Sequence, residues 1–158
     1  MEPVEKLHHT IDALFGNGVS KFLPKKIEIT YSKKNGRIRS VFHDEKLLCT
    51  LRIDGGLAIT PLFAQMLLKS KKFKEYCLEI DIDSKPFIEE GRSVFCNHVV
   101  WCGKNIQISS DVPVLFKSNV IAVGRAVLSS DMIQSQNRGV AIKIRDSLKS
   151  QNKGDRSL

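Results

Sequence analysis

Apolar residues near the N-terminus recur at the spacing of an α-helix over residues 4–15. The side chains that share one face of this helix are Val4, Leu7, Ile11, Leu14 and Phe15. The run stops at Gly16-Asn17-Gly18, a sequence that is typical of a turn. A phosphate-binding loop is the alternative for these glycines, but their spacing matches neither of the common nucleotide-binding motifs. The pattern therefore predicts a helix that ends at a turn.

The next part of the chain alternates apolar and polar residues, which is the pattern of half-buried β-strands. Three such runs cover residues 26–31, 37–42 and 46–53. Lys33-Lys34-Asn35-Gly36 predicts a hairpin between the first two runs. Residues 59–69 then have a helical pattern, with Thr60 as the N-cap and Pro61 at the first helical position. A further strand is predicted over residues 76–82.

The second half of the chain consists of short β-like runs separated by brief helical turns. Strands are predicted over residues 93–101, 112–116, 120–128 and 139–144. Helical turns are predicted over residues 86–90 and 129–134, and Gly91 ends the first of them. Short strands with little helix between them favour a compact β-barrel.

These elements predict an α+β protein with two domains. A small N-terminal α+β domain covers residues 1–83, a mixed β-barrel domain covers residues 84–148, and residues 149–158 form a flexible tail rich in polar residues. A domain of this size is marginal for an independent hydrophobic core. We therefore expect the N-terminal domain to pack on the barrel.

The charge of the chain narrows the choice of partners. The 158 residues carry a net charge of +8 and have a pI of about 9.4, as expected for a protein that binds nucleic acid. A basic surface that serves only solubility is the alternative.

The longest apolar runs are too short for a membrane helix, and the N-terminus has no secretory signal, so we expect a cytoplasmic protein.

Four cysteines lie at positions 49, 77, 96 and 102, without the Cys-x-x-Cys spacing of zinc or redox sites. We expect all four to be reduced. Counting every second residue places Cys96, His98 and Cys102 on one face of the strand run that begins at residue 93, which suggests a metal site. On a straight strand these residues span about 20 Å, so one ion would not reach both thiols. The sequence therefore predicts no bound metal.

Three ordered stretches resemble a known RNA-binding module. They are residues 86–95 (PFIEEGRSVF), residues 121–129 (IAVGRAVLS), and residues 131–133 (DMI) followed by residues 138–145 (RGVAIKIR). Their order and spacing resemble the PUA domain, named for pseudouridine synthases and archaeosine transglycosylases, that ends the archaeosine tRNA-guanine transglycosylases. Residues 37–82 resemble the small domain that precedes PUA in the same family.

The resemblance implies an RNA-binding protein whose partner is the acceptor region of tRNA. In the family, the loop after the first helical turn meets the acceptor end. Carried over by position, the contacting residues here are Gly91, Arg92, Ser93, Val94 and Phe95. Core packing is the alternative for Phe95. The resemblance also implies that Gly124 has a structural role, because a glycine inside a strand marks a bulge or a close contact.

The last strand of the resemblance carries two further candidates. Lys143 and Arg145 share one strand face and could line a track of phosphates, or they could form an ordinary solvated face. The chain departs from the family pattern at Cys96-Asn97-His98. It departs again at residues 105–110, where the family tends to have Asp-Ile-Arg-Pro-Gly-Asp. An arginine and an acid are missing there, which affects the mode of RNA binding rather than the fold.

The sequence predicts no catalytic residue and no cofactor. The chain has no room for the large catalytic barrel of the transglycosylases, and His8, His9, His43 and His98 lack recognisable catalytic partners. Our hypothesis is an RNA-binding protein that acts alone or beside a separate catalytic subunit in archaeosine-type tRNA modification. A protein-interaction adaptor, for example in ribosome assembly, and a small Cys/His metal protein remain the alternatives.

Overall fold

The computed structural model describes residues 2–149 and divides the chain into two compact units, Met1–Phe73 and Lys74–Leu158. Of the flexible tail predicted over residues 149–158, the part from residue 150 onward lies outside the described residues. Both units combine helices with β-strands. The predicted α+β class is therefore confirmed.

The first unit contains a long helix, a four-stranded sheet and short helical segments. Its elements are α1 (Pro3–Phe15), β1 (Glu28–Tyr31), β2 (Ile38–His43), β3 (Lys46–Leu51), β4 (Leu57–Ile59), α2 (Pro61–Leu67) and α3 (Lys71–Lys74), which reaches the division between the units. The strands pair antiparallel in chain order, so the sheet is a meander. The predicted hairpin is confirmed, and so is Thr60 as N-cap, because its hydroxyl accepts the Phe63 N–H at 3.2 Å. The sequence pattern missed β4.

Helix α1 buries most of the face that its apolar spacing predicts, but Val4, which was predicted on that face, is 45% exposed. Leu7 and Ile11 are fully buried, and Phe15 meets the ring of Phe73 edge-to-face with the ring centroids 5.1 Å apart. Burying a side chain of this kind stabilises the fold by roughly 1.5–3 kcal/mol. The hydrophobic face of α1 is therefore a main source of stability in the first unit.

The end of α1 is fixed by hydrogen bonds to its last turn. Gly16 adopts a φ of 118° and its N–H donates to the Asp12 carbonyl at 2.9 Å. The Asp12 carboxylate accepts the Ser20 N–H at 2.8 Å. Burial acts to raise the pKa of Asp12, but hydrogen bonds from Ser20 and from the Gly18 N–H outweigh it and lower the pKa below its usual value. The predicted turn after α1 is confirmed.

The second unit is built on a six-stranded sheet with two short helices. Its elements are β5 (Leu78–Ile80), α4 (Lys85–Glu89), β6 (Val94–Phe95), β7 (Val99–Cys102), β8 (Asp111–Phe116), β9 (Asn119–Ala126), α5 (Ser130–Ser135) and β10 (Val140–Ser147). The strand order is β6-β10-β9-β8-β5-β7. Strands β5 and β8 are parallel and the other pairs are antiparallel. The predicted mixed sheet is confirmed.

The two edge strands of this sheet, β6 and β7, are consecutive in the chain. Only the 3₁₀ turn Cys96–His98 separates them, so the sheet curls into a nearly closed barrel. The Cys96 N–H donates to the Gly139 carbonyl at 2.9 Å, and the Asp81 N–H donates to the His98 carbonyl at 3.0 Å. The continuous strand predicted over residues 93–101 is therefore wrong, because these long-range hydrogen bonds, and not the local alternation, set the backbone here.

Strand β5 lies in the interior of the second sheet. Leu78 pairs with Cys102 of β7 on one side and with Val114 of β8 on the other. A domain boundary after residue 83 places this strand in the first domain, whereas the structure includes it in the second unit. Local alternation identifies a strand but does not say which distant strand will pair with it.

Gly124 lies at a close approach of β9 and β10. A Cβ atom at this position would lie 2.3 Å from the Lys143 carbonyl oxygen and 2.7 Å from Cγ2 of Ile142. The backbone itself is ordinary, so the absence of space, and not the φ angle, requires glycine here. The structural role expected for Gly124 follows from this contact.

Gly124→Ala should destabilise the second unit by about 1–3 kcal/mol, because the added methyl group displaces β10. Urea unfolding followed by circular dichroism measures the loss. Asn119→Ala, at an exposed position of the same strand, is the control. A Gly124→Ala protein as stable as the control would contradict the steric argument.

Asp12 should stabilise the first unit at neutral pH and lose this effect in acid. A carboxylate whose pKa is lowered by folding stabilises the native state above its unfolded pKa, near 3.8, and loses that contribution as pH falls through the folded value. The melting temperatures of the unaltered chain and Asp12→Asn should differ at pH 7 and converge as pH falls from the unfolded pKa to below the folded pKa. Asp83→Asn, at an exposed position, controls for the loss of one charge. A difference that does not change with pH would contradict the role of the ionised group.

Candidate nucleic-acid interface

The loop that leaves α4 has the hydrogen bonds of a Schellman helix end. The Gly91 N–H donates to the Ile88 carbonyl at 2.9 Å, and the Arg92 N–H donates to the Phe87 carbonyl at 3.0 Å. Gly91 has a φ of 95°, which glycine adopts without the strain of a side chain. The positive φ expected at Gly91 is confirmed. The close approach of another backbone is not, because no atom of the described residues lies within 4 Å of an added Cβ.

The same helix end brings Arg92 over the ring of Phe87. A Schellman motif commonly sets these two positions in contact, and here the guanidinium carbon lies 5.5 Å from the ring centroid. Phe87 is 50% exposed and Arg92 is exposed. An exposed aromatic ring beside a guanidinium group offers a flat, positively charged surface. Phe87 was not among the residues predicted to contact RNA. Ile88 beside it is buried, which places Phe87 on the outer side of the short helix.

Strand β6 turns its two side chains in opposite directions. Val94 is fully buried in the barrel core, whereas Phe95 is 48% exposed. The core-packing alternative for Phe95 is therefore wrong, and the side chain of Val94 is not on the surface. Phe95 pairs with Val140 and Val94 pairs with Ile142 of β10. We call the exposed side chains of Phe87, Arg92 and Phe95, which belong to one continuous segment of the chain, the stacking platform.

Lys143 lies at the same end of the β6–β10 pair as the α4–β6 loop. In an antiparallel pair, the residues before Val94 lie beside those that follow Ile142. The exposed Lys143 therefore lies near the half-buried Ser93. This register adds one positive charge to the edge of the stacking platform.

Arg145 has a structural contact that the sequence did not reveal. Its guanidinium lies 4.0 Å from the carboxylate of Asp111, whose side chain is only 4% exposed. A buried carboxylate requires a partner of opposite charge. Arg145 sits at an irregularity in the β10–β9 pairing, between Ile144 and Asp146. Lys143 and Arg145 are both on the surface, but Arg145 also balances the charge of Asp111.

Arg125 is a basic residue of this surface that the sequence analysis missed. On neighbouring strands it pairs with Lys143 on one side and Asp111 on the other. Its Nε and Nη2 atoms donate to the Ser109 carbonyl at 3.3 and 3.2 Å. Arg125 could have been recognised from the sequence, because it is a charged residue in a predicted strand that is otherwise apolar. The structure shows it exposed between the buried Gly124 and Ala126.

His98 and Asp81 form a pair at the corner of the barrel. Nδ1 of His98 lies 2.8 Å from the Asp81 carboxylate, which also accepts the Ser84 N–H at 3.0 Å. Burial acts to raise the pKa of Asp81, but the hydrogen bonds from His98 and Ser84 outweigh it and lower the pKa. This contact occupies one ring nitrogen of His98, the residue proposed between the two cysteines of a metal site.

The thiols lie in environments that disfavour ionisation. Burial raises the pKa of Cys49 to about 12 and also raises the pKa of Cys77. Burial likewise raises the pKa of Cys96 and of Cys102. Nucleophiles and metal ligands are thiolates, so protonated thiols at neutral pH do not favour either role. Residues 2–149 contain no cluster of three or more His, Cys, Asp or Glu side chains that could hold a metal ion.

No helix within residues 2–149 is long and apolar enough to span a membrane.

Comparison with known proteins identifies both parts of the chain. Residues 5–74 match the patch-forming domain C2 of tRNA-guanine transglycosylase, and residues 77–148 match the PUA domain. The tRNA-guanine(15) transglycosylase of Methanosphaera stadtmanae is 35% identical over 146 residues, which cover 89% of this chain. The corresponding enzyme of Methanothermobacter thermautotrophicus is 27% identical over 148 residues, which cover 92% of this chain. The chain spans only 22% and 23% of the length of these two relatives.

Two solved structures share the fold. A hypothetical protein from the archaeon Pyrococcus horikoshii superposes with a TM-score of 0.72 at 19% identity, covering 92% of this chain and 89% of that one. A conserved PUA domain protein from Thermoplasma acidophilum gives a TM-score of 0.63 at 16% identity, covering 89% and 90%. The predicted resemblance is confirmed in both halves, but the C2 match covers residues 5–74 and not the predicted residues 37–82. Residues 5–74 and 77–148 therefore correspond, in this order, to the C2 and PUA domains of the archaeal tRNA-guanine transglycosylases.

Proposed function

We propose that this protein binds the acceptor region of tRNA through the stacking platform and the basic residues beside it. The observation that carries the proposal is the contact of Arg92 with the exposed ring of Phe87 in a domain of the PUA family, a family of RNA-binding modules. The names of the relatives, tRNA-guanine(15) transglycosylases, favour tRNA over other RNAs.

Each part of the platform suits a different part of an RNA. Aromatic rings and guanidinium planes stack on unpaired bases, as at the end of an acceptor stem. The Arg92 guanidinium and the Ser93 hydroxyl can donate hydrogen bonds to phosphate oxygens. Gly91 sets the direction of the loop, and Val94 holds the loop to the core through its buried side chain.

The basic residues on the neighbouring strands extend the platform along the RNA backbone. Lys143 is an exposed ammonium group that can approach a phosphate directly. Arg145 and Arg125 already have contacts with Asp111 and the Ser109 carbonyl, so they contribute positive potential more than new hydrogen bonds. A surface of this kind recognises a double-stranded stem by its backbone and shape rather than by its base sequence.

The proposed role is binding without catalysis. Burial raises the pKa of all four thiols, so none of them is an activated nucleophile at neutral pH. In this proposal the protein acts alone or beside a separate catalytic subunit of a tRNA-modifying enzyme of the archaeosine type. Copurification from the native organism, with identification of bound proteins and RNA, tests for that subunit.

Arg92→Ala should raise the Kd for tRNA by about tenfold, which corresponds to the loss of roughly 1.4 kcal/mol of binding free energy from charged hydrogen bonds. Arg92→Lys should give an intermediate Kd, because lysine keeps the charge but loses the planar group that stacks. Fluorescence anisotropy with labelled tRNA measures both. Lys104→Ala removes another exposed cation of the same unit and is the matched control. Equal affinities for Arg92→Ala and Lys104→Ala would contradict the placement of the interface.

Binding of tRNA should weaken steeply with salt, because phosphate contacts release counterions. Lys143→Ala should reduce the slope of log Kd against log salt by about 0.9 if Lys143 contacts one phosphate of a duplex stem. A salt titration of tRNA binding for both proteins provides the measurement. A flat salt dependence, or equal affinity for tRNA and duplex DNA, would contradict the proposed function.

A further inference from the structure

The first unit contains a basic cleft that has no part in the interface described above. The cleft has a volume of about 760 Å³ and lies between α1, the β1–β2 hairpin and the β3–β4 turn. Its basic side chains are Lys6, Lys34, Arg37, Arg39 and Arg52. Among the described residues that line it, none is acidic. We call this feature the C2 cleft.

The meander explains why basic residues far apart in sequence converge here. In an antiparallel meander, the first and third connections lie at the same end of the sheet. Tyr31 pairs with Ile38 at the β1–β2 connection, and Leu51 pairs with Leu57 at the β3–β4 connection. Both turns are closed by backbone hydrogen bonds, from Gly36 to Ser32 at 2.8 Å and from Arg52 to Gly56 at 2.8 Å. The fold therefore holds the backbone of both turns in place beside α1.

The charges surround an apolar surface. Ile38 and Leu51 are partly buried in the cleft, and Ile53 is fully exposed at its edge, with a relative exposure of 102%. Asp54, the neighbouring acid, accepts the Gly56 N–H at 2.9 Å within the turn. A ligand that matches this cleft has a flat apolar part and negative charge on both sides of it. An unpaired nucleotide of RNA has both, in its base and its flanking phosphates.

We propose that the C2 cleft binds an unpaired nucleotide of RNA, with the base against Ile38, Leu51 and Ile53 and the flanking phosphates on Arg37 and Arg39. This inference rests on the proposed RNA-binding function and adds a second binding site in the other unit. A paired base presents its faces to its stacked neighbours, so a duplex would leave the apolar surface of the cleft without a contact. A single-stranded segment or a looped-out nucleotide fills both parts of the cleft.

The test compares three variants with the unaltered chain. Arg37→Ala/Arg39→Ala removes two cations of the cleft, Ile53→Ser removes its exposed apolar side chain without changing charge, and Lys25→Ala/Lys26→Ala removes two exposed cations of the same unit outside the cleft. The probes are a short single-stranded oligoribonucleotide and an RNA hairpin of the same composition. Fluorescence anisotropy over a salt series gives Kd and its salt slope. Melting temperatures confirm that each variant is folded.

The two arginines should contribute to RNA binding through their charge, and Ile53 should contribute through contact with the base. Arg37→Ala/Arg39→Ala should raise the Kd for the single strand by about tenfold and reduce its salt slope by about 1.4, or 0.7 for each phosphate. Ile53→Ser should raise this Kd without changing the slope. Thiouridine in the single strand should crosslink to the peptide that contains Ile53. The Lys25/Lys26 variant should match the unaltered chain.

Several outcomes would overturn the inference and distinguish its failure from that of the proposed function. If Arg92→Ala weakens tRNA binding while the cleft variants match the Lys25/Lys26 control, the proposed function stands and the C2 cleft is not a binding site. If the unaltered chain binds neither the single strand, nor the hairpin, nor tRNA, both proposals fail. A hairpin bound more tightly than the single strand, with no effect of Ile53→Ser, would rule out an unpaired nucleotide. Loss of binding to phosphatidylserine vesicles in the arginine variant, with RNA binding unchanged, would assign the cleft to lipid.

Discussion

The hydrogen bonds between Asp81 and His98 close the barrel of the second unit and also close a loop around its candidate interface. The Asp81 N–H donates to the His98 carbonyl, and the Asp81 carboxylate contacts the imidazole at 2.8 Å. The chain between these residues contains α4, the Gly91 turn and β6. The same carboxylate accepts the Ser84 N–H just before α4 begins. One acidic residue therefore holds both ends of the segment that carries Phe87, Arg92 and Phe95.

A segment held at both ends has fewer conformations to lose when a ligand binds, which lowers the entropic cost of association. Two further contacts restrict it. The hydroxyl of the buried Ser147 donates to the Glu89 carbonyl at 2.8 Å, which ties the end of α4 to β10. The Schellman hydrogen bonds then set Arg92 against Phe87. The barrel therefore holds the backbone of this segment in place while the side chains remain exposed. A binding surface requires both a fixed backbone and exposed side chains.

Local sequence rules predicted most elements of this fold. The spacing of Leu7, Ile11 and Phe15 identified α1, and Thr60 followed by Pro61 marked the start of α2. The resemblance to PUA located the loop at Gly91, whose positive φ the structure bears out. These predictions succeeded because capping, helical spacing and glycine conformation depend on residues close together in the chain.

The features that the sequence did not predict depend on distant partners. Alternation could not show that β5 joins the second sheet, or that the hydrogen bonds of Cys96 and His98 to distant residues interrupt a strand. It could not show that Arg145 faces the buried Asp111, or that Arg125 lies beside Lys143. In the first unit, the convergence of Lys6, Arg39 and Arg52 in one cleft depends on the meander topology.

The positive charge of the chain, taken alone, is compatible both with RNA binding and with a basic surface that serves only solubility. Exposed apolar side chains beside the charge, Phe87 and Phe95 in one unit and Ile53 in the other, favour binding, because solvation needs no apolar surface and a nucleotide base does.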